Sequence, residues 1–379
     1  MTIDQPCDLL GGLSPERFMR RHWQRKPLLV RGAWPGVRPP LARAQLFELA
    51  SREDVESRLI CRQRGSWTLR HGPLPRRALP SLQTREWTLL VQGLDLHEHV
   101  AREMLSRFRF VPEARLDDLM ISFATDGGGV GPHLDSYDVF LLQVHGRRRW
   151  RIGRVPQARW IEDAPLKLLA RFEPEHEWVL EPGDMLYLPP LWGHDGIAEG
   201  ECVTCSIGFR APARRHLARE VLQRLAEAGE DDAGDRLYRD PGQSATDMPG
   251  LIPPSLQRFA ADAVADAIRA GAVAAALGEV LTEPKPRVWF EDGEPLVATE
   301  AVELDRRSRM MYDDRHVFIN GESFRASGRD ATLMRRLADR RRLSAAEVAR
   351  LSDDARELLA QWAADGWARA LDDPGSTKG

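Results

Sequence analysis

Two hydrophobic periods divide the chain. Up to about residue 212 the apolar positions mostly recur every second residue or run unbroken, as strands do. Residues 119–124 alternate, with Met120, Ser122 and Ala124 on one face and Ile121 and Phe123 on the other. Residues 137–144 are almost continuously apolar, the pattern of a strand covered on both faces. His145-Gly146 reads as a hairpin turn, with 147–152 returning as the partner strand. Residues 178–188 predict a strand, a Pro-Gly-Asp turn and a second strand, and Pro189-Pro190 stiffens the approach to His194. A further strand is expected at 201–209, where Cys202, Thr204, Ser206 and Gly208 make a small polar face and Val203, Cys205, Ile207 and Phe209 an apolar one. Small residues on one face suit the inside of a barrel that leaves room for a ligand. Upstream, Ser14 caps a predicted helix opening with Pro15 and Glu16. Residues 28–30 predict a strand, 42–54 a short helix, 55–67 a strand pair around Gln63-Arg64-Gly65, and 87–91 another strand.

Past Pro212 the period becomes helical. Residues 213–229 and 254–281 are alanine-rich, and the link at 230–250 is rich in Asp, Gly, Ser and Pro. Val264, Ile268, Val273, Leu277 and Val280 form the seam of a helical pair, so a homodimer is expected through this segment. From 287 the pattern resets. Residues 288–290 and 317–321 read as short strands, the second ending in an Asn-Gly turn. Helices at 330–341, 344–351 and 353–366 follow, with a capping box from Ser344 to Glu347. Small strands with three helices describe a winged-helix-like unit. The class is therefore α+β, divided at 1–212, 213–284 and 285–379.

Composition narrows this. A chain of 379 residues, 42% apolar, has material for several cores. The net charge is −3 and the C-terminal part is nearly balanced, so no phosphate-binding field arises and direct nucleic-acid binding is not expected. No apolar run reaches the length of a membrane span. The first twelve residues lack a basic, apolar leader pattern, and a cytoplasmic protein is expected. Cys202 and Cys205 spell C-x-x-C but face opposite ways on a strand, which favours buried thiols over a metal or redox pair.

The candidate chemistry lies after the glycines at 127–129. His133-Leu134-Asp135 sits in an extended setting, where i and i+2 share a face roughly 7 Å apart. One imidazole and one carboxylate are two thirds of the ligand set of a non-haem iron(II) oxygenase, and His194 supplies the second imidazole from a later strand. Such a site keeps positions open for a chelating keto acid, 2-oxoglutarate, and for dioxygen. The far carboxylate of that co-substrate needs a cation. Alternation turns Arg148 away from Arg147 and Arg149 and points it inward, and Ser122 adds a hydroxyl from a neighbouring strand. Singly, each of these residues has an idle explanation: a buried His–Asp hydrogen bond, a loop histidine, a basic surface turn. Their common strand context favours the joint one. His97-Glu98-His99 competes, but its setting is helical, and i, i+2 on a helix point about 200° apart.

These residues resemble a known family. Gly129-Val130-Gly131-Pro132-His133-Leu134-Asp135-Ser136-Tyr137-Asp138-Val139-Phe140, Gly146-Arg147-Arg148-Arg149-Trp150, Pro182-Gly183-Asp184-Met185-Leu186-Tyr187-Leu188-Pro189-Pro190 and His194 are similar to the bacterial JmjC-type ribosomal oxygenases. The segments 21–27, 117–123 and 206–212 resemble the same family. The resemblance is specific between about 115 and 212. It implies a double-stranded β-helix (cupin/JmjC jelly-roll) core, a helical dimerisation segment and a winged-helix-like end. It implies iron(II) held by His133, Asp135 and His194, and 2-oxoglutarate held by Arg148 and Ser122. It further implies that Asp118, Tyr137 and Ser206 hold a substrate arginine of a large-subunit ribosomal protein. Leu191-Trp192-Gly193 departs from the Gly-Phe-Pro-like segment expected before the distal ligand. Two other readings stay open: a histidine hydroxylase acting on a ribosomal protein, and a non-catalytic cupin-type ribosome-assembly binder.

Overall fold

The computed structural model describes residues 2–227, 237–241, 248, 250–294, 296 and 300–371. Most of the predicted link at 230–250 lies outside them. The chain divides into two units, Met1–Ala211 and Pro212–Gly379.

In the first unit helix α1 (Pro15–Arg21) starts as its sequence requires, Ser14 Oγ accepting from the Arg17 N–H at 3.2 Å. Then come β1 (Leu28–Val30), α2 (Arg43–Leu49), β2 (Ser57–Gln63), β3 (Ser66–His71), β4 (Trp87–Val91), α3 (Leu94–His97) and α4 (His99–Ser106). The remaining elements are strands: β5 (Leu116–Ala124), β6 (His133–Leu134), β7 (Tyr137–Arg154), β8 (His176–Leu180), β9 (Met185–Leu188) and β10 (Trp192–Arg210).

The long strands β7 and β10 organise the rest. They pair antiparallel from Trp192↔Arg154 to Arg210↔Tyr137, with the register shifting between Glu199 and Thr204. Each half has its own neighbours. Residues 139–142 of β7 continue to β9 and then β1, and 202–209 of β10 continue to β5, β4, β2 and β3. Residues 148–152 of β7 pair with β8 instead, and Gly193 and His194 of β10 with β6. Two strands thus serve two layers, which makes the core a double-stranded β-helix. The hairpin expected at His145-Gly146 is not formed, and 201–209 is not a separate strand. Gly146, at φ 62°, lets β7 bend there without turning back, and a Cβ at that position would collide with the Glu201 carbonyl oxygen.

The two faces of the wide layer differ as the alternation predicts. Ile121 and Phe123 of β5, Phe140, Leu142 and Val144 of β7, and Val203, Cys205, Ile207 and Phe209 of β10 share one core with residues of the four helices. Phe18 of α1 is wholly enclosed there, with rings of Phe140 and Tyr187 at 5.4 and 4.9 Å. Burial of such side chains stabilises by roughly 1.5–3 kcal/mol each. The opposite face, carrying Asp118, Ser122 and Ser206, is left for the site.

The second unit holds α5 (Arg214–Glu227), α6 (Pro254–Ala267) and α7 (Ala270–Thr282). Strands β11 (Val302–Leu304), β12 (Met310–Tyr312), β13 (His316–Ile319) and β14 (Glu322–Arg325) precede α8 (Gly328–Arg340), β15 (Arg342–Leu343), α9 (Ala345–Val348), α10 (Asp353–Ala364) and β16 (Ala368–Ala370). The strands form two small sheets, β15-β11-β16 and β12-β13-β14. Val302, Leu337, Leu343, Leu359 and Trp362 close a common core, and the Ser344–Glu347 capping box is present. Asn320 and Gly321, both at positive φ, make the predicted turn. Two details differ from expectation. Helical segment 254–281 breaks at Arg269, whose ψ of 145° is extended. Residues 288–290 form no strand; Phe290 instead stacks edge-on to Trp367 and under Arg307. Among the described residues no helix is long and apolar enough to cross a membrane.

Candidate metal centre

Register alone brings the two histidines together. His133 of β6 lies opposite His194 of β10, so both imidazoles leave the layer on one face, with ring centroids 4.2 Å apart. Asp135 follows two residues after His133. Its Oδ2 is 3.7 Å from His133 Nε2 and 3.4 Å from His194 Nε2. One ligand atom from each residue lies within 4.8 Å of the others, the one such group of His, Cys, Asp or Glu among the described residues.

Backbone carbonyls fix the rings. His133 Nδ1 lies 2.8 Å from Gly131 O, and His194 Nδ1 lies 3.0 Å from Trp192 O. A carbonyl can only accept, so Nδ1 carries a proton in each ring and both Nε2 atoms face Asp135. Burial, then the neighbouring His194, pushes the His133 imidazole down to about 4. Burial works against ionisation of Asp135, but contact with His194 and the charges of His133 and Arg58 outweigh it and hold the carboxyl below its ordinary range. Burial likewise opposes a charge on His194, and its hydrogen bond to Asp135 overrides this and raises it. A neutral imidazole and a carboxylate at neutral pH are the forms that bind a divalent cation.

Alternation along β7 places Arg148 on the same face. It is 4% exposed, while Arg147 and Arg149 turn outward to Glu199 and Glu177. Arg148 Nη1 donates to Ser122 Oγ at 3.1 Å. Its Nε and Nη2 are enclosed and have no hydrogen-bond partner. A buried donor without a partner costs roughly 1–3 kcal/mol, more when charged. A carboxylate is the group that would satisfy both in one plane, so the residues present fit a dicarboxylate keto acid. Trp150 stands between Arg148 and His194, its ring 6.0 Å from the imidazole and 5.9 Å from the guanidinium carbon. Gly196 makes room for that ring, since a Cβ would come within 2.7 Å of it.

A cavity of about 530 Å³ opens beside the triad. Asp118, Tyr137 and Ser206 all line it, together with His133 and Asp135. Asp118 is 6% exposed and accepts from the Gly93 N–H at 2.8 Å, whereas Tyr137 is exposed at the rim. Arg148 and Ser122 are not among the residues that line it. His97 and His99 are not brought together. Glu98 is extended between α3 and α4, and the two imidazoles turn to different partners, His97 to Asp54 at 4.0 Å and His99 to Glu103 at 3.3 Å.

Sequence reasoning missed Trp150 and Arg58. Trp150 was findable, because it shares a face with Arg148 two residues away. Arg58, a further residue of the cavity wall, gave no signal, since β2 carries polar residues on both faces.

The chain is also similar to known proteins. Residues 103–217 match the JmjC domain family and 271–369 match the ROXA-like winged helix. The "Ribosomal protein uL16 3-hydroxylase" of Escherichia coli (strain K12) is 39% identical over 231 residues, which is 59% of this chain and 59% of that protein. A "Probable ribosomal oxygenase" of Haemophilus influenzae is 37% identical over 205 residues, 53% of this chain and 50% of that protein. The chain thus spans little more than half the length of the curated relatives it matches. The crystal structure of E. coli ycfD superposes with a TM-score of 0.82 at 29% identity, covering 95% of this chain and 98% of that one. The ycfD complex with cobalt and 2-oxoglutarate gives a TM-score of 0.78 at 28% identity, covering 94% of this chain and 98% of that one.

Proposed function

We propose, from the premise that residues 103–217 are a JmjC domain followed by a ROXA-like winged helix, that this protein is an iron(II)- and 2-oxoglutarate-dependent hydroxylase of a large-subunit ribosomal protein. The observation that carries the proposal is the pairing of three convergent ligands with a buried arginine that has two unused donors. His133, Asp135 and His194 would hold the iron, each imidazole through the Nε2 that faces Asp135. Arg148 and Ser122 would take the far carboxylate of 2-oxoglutarate. The iron, when bound, supplies the chemistry that couples oxidative decarboxylation of the keto acid to insertion of one oxygen atom into a C–H bond, with succinate and carbon dioxide as the other products.

The chain's own residues supply binding and orientation. Arg148, itself enclosed, would hold the keto acid away from water, and the cavity beside the triad would admit a side chain of the protein substrate. Asp118, Tyr137 and Ser206 would hold that side chain. A buried carboxylate at 118 favours a permanently charged arginine over histidine. The E. coli relative is named for uL16, and uL16 is the substrate proposed here. A ribosomal substrate also supports a cytoplasmic setting.

A homodimer through residues 213–284, set between the catalytic part (1–212) and the winged-helix-like part (285–379), belongs to the same proposal. Its support is that α6 buries none of its residues, leaving Phe259 and Val264 exposed, with Ile268 exposed at its C-terminal end.

The test is intact-mass analysis of uL16 after incubation with the protein, iron(II) and 2-oxoglutarate. One added oxygen is expected, lost without either cofactor and in His133→Ala. Unmodified uL16 together with no 2-oxoglutarate binding would favour the assembly-binder alternative.

A further inference from the structure

The cavity wall away from Asp118 carries a cation that the proposed chemistry does not use. Arg58 stands on β2, where the register aligns it with Leu90 of β4 and Leu90 with Ser122 of β5. Directly paired residues share a face, so the Arg58 side chain leaves the layer on the cavity side. It lines the cavity with His133 and Asp135. Its Nε is enclosed with no hydrogen-bond partner, and among the described residues no ion pair reaches its guanidinium, whose charge acts on Asp135 from a distance. Gln92, just past the end of β4, lines the same wall. Its backbone N–H extends the ladder to Glu56 O at 2.9 Å, which leaves the carboxamide on the face of Arg58, one diagonal step away.

Three chemistries could meet a guanidinium here. The keto acid is the weakest choice, because its far carboxylate already has Arg148 and Ser122, which lie outside this cavity. An acidic side chain would suit Arg58 but gain little from Gln92. A peptide group suits both, since it offers a carbonyl acceptor and an N–H donor, and a carboxamide matches each. Two strand spacings and four residues along β5 separate Arg58 from Asp118, about 16 Å between Cα atoms. One part of the cavity wall thus carries the Arg58 cation and another the Asp118 carboxylate, and His133 and Asp135 line the same cavity.

We propose that Arg58, with Gln92 beside it, binds the main chain of the protein substrate, donating to a peptide carbonyl oxygen close to the residue whose side chain reaches Asp118. The inference deepens the hydroxylase reading and rests on it. Arg58 fixes where the backbone lies and Asp118 where the charged tip lies, so the carbon between them is the one presented to the metal. Neither residue needs to touch the metal.

The experiment uses full-length protein loaded with manganese(II) and 2-oxoglutarate, titrated with purified uL16 by calorimetry, with KM and kcat measured separately on the iron form. Arg58→Gln should weaken uL16 binding at least tenfold and raise its KM to match, while the Kd of 2-oxoglutarate stays within twofold. Gln92→Leu should weaken uL16 binding about threefold, and Arg58→Lys should fall between wild type and Arg58→Gln. Thermal midpoints of all variants check that the fold is intact. Unchanged uL16 affinity in Arg58→Gln, or a loss confined to manganese or 2-oxoglutarate, overturns the inference and makes Arg58 a support for Asp135 or for the keto acid. Should wild-type protein ignore uL16, the substrate reading falls and takes this inference with it. Should wild type hydroxylate uL16 and Arg58→Gln do so with the same KM, the inference alone falls.

Discussion

Replacing Arg148 by Gln should move stability and ligand binding in opposite directions. In the ligand-free fold Arg148 is almost fully enclosed, one N–H donates to Ser122, and two donors have no partner. That arrangement is a standing cost of a few kcal/mol, because a buried cation without an anion is poorly compensated. Glutamine removes the charge and leaves fewer unmet donors. The thermal midpoint of the ligand-free protein should stay level or rise. With 2-oxoglutarate the sign reverses. Two charge-assisted hydrogen bonds contribute about 1.5–3 kcal/mol each, so losing both should raise the Kd by about 10²- to 10⁴-fold. Lysine keeps the charge but loses the planar fork, and an intermediate loss of about tenfold is expected. The assay is anaerobic calorimetric titration of the manganese form with 2-oxoglutarate, beside a melt of the metal-free form. A keto-acid Kd within threefold of wild type, or a midpoint that drops by several degrees without ligand, would refute the reasoning that Arg148 is kept unpaired for a carboxylate.

Other outcomes follow from the same geometry. Ser122→Ala removes the 3.1 Å contact that aims Arg148 and should weaken 2-oxoglutarate binding three- to tenfold with little effect on manganese, read by the same titration. Asp135→Asn removes the one anionic ligand of the triad and should lower manganese affinity by at least two orders of magnitude; wild-type affinity in this variant would remove Asp135 from the metal site. Gly146→Val asks a β-branched residue to adopt φ 62° and drives a Cβ into the Glu201 carbonyl, so a loss above about 3 kcal/mol is expected in urea unfolding. His133 takes a proton near 4 in the fold against 6.5 in the open chain, so the unfolded state binds more protons between those values. Acidification through that window should cost the metal-free fold on the order of 3 kcal/mol, and His133→Leu should flatten this part of the stability profile.

What the sequence discloses depends on how local the cause is. Ser122 and Arg148 could be placed facing inward because strand alternation is a property of neighbouring residues, and it holds whether or not the partner strand is known. Ser14 and Ser344 announce helix starts for the same reason. The His145-Gly146 turn was misread because a glycine at positive φ is equally compatible with a hairpin and with a bend in one long strand. Only the distant partner, β10, decides between them, and it arrives some fifty residues later. The apolar triplet at 288–290 satisfies itself through Phe290 against Trp367 and Arg307, contacts that no local pattern encodes. Arg58 stayed hidden because its role depends on what faces it across a cavity, not on its place in β2.

The strand that carries His194 and Ser206 is also the last of the first unit to be synthesised, and it lies at the centre of the sheet rather than on its border. Until residues 192–210 leave the ribosome, β5 and much of β7 have hydrogen-bonding edges with nothing to fill them. A growing chain stalled before that point would carry exposed edges and no metal centre, and it would be prone to clump. Completion of the binding site and closure of the fold are therefore a single event in the life of the nascent polypeptide, and a product truncated within β10 should be cleared by proteolysis rather than persist as a weakened enzyme.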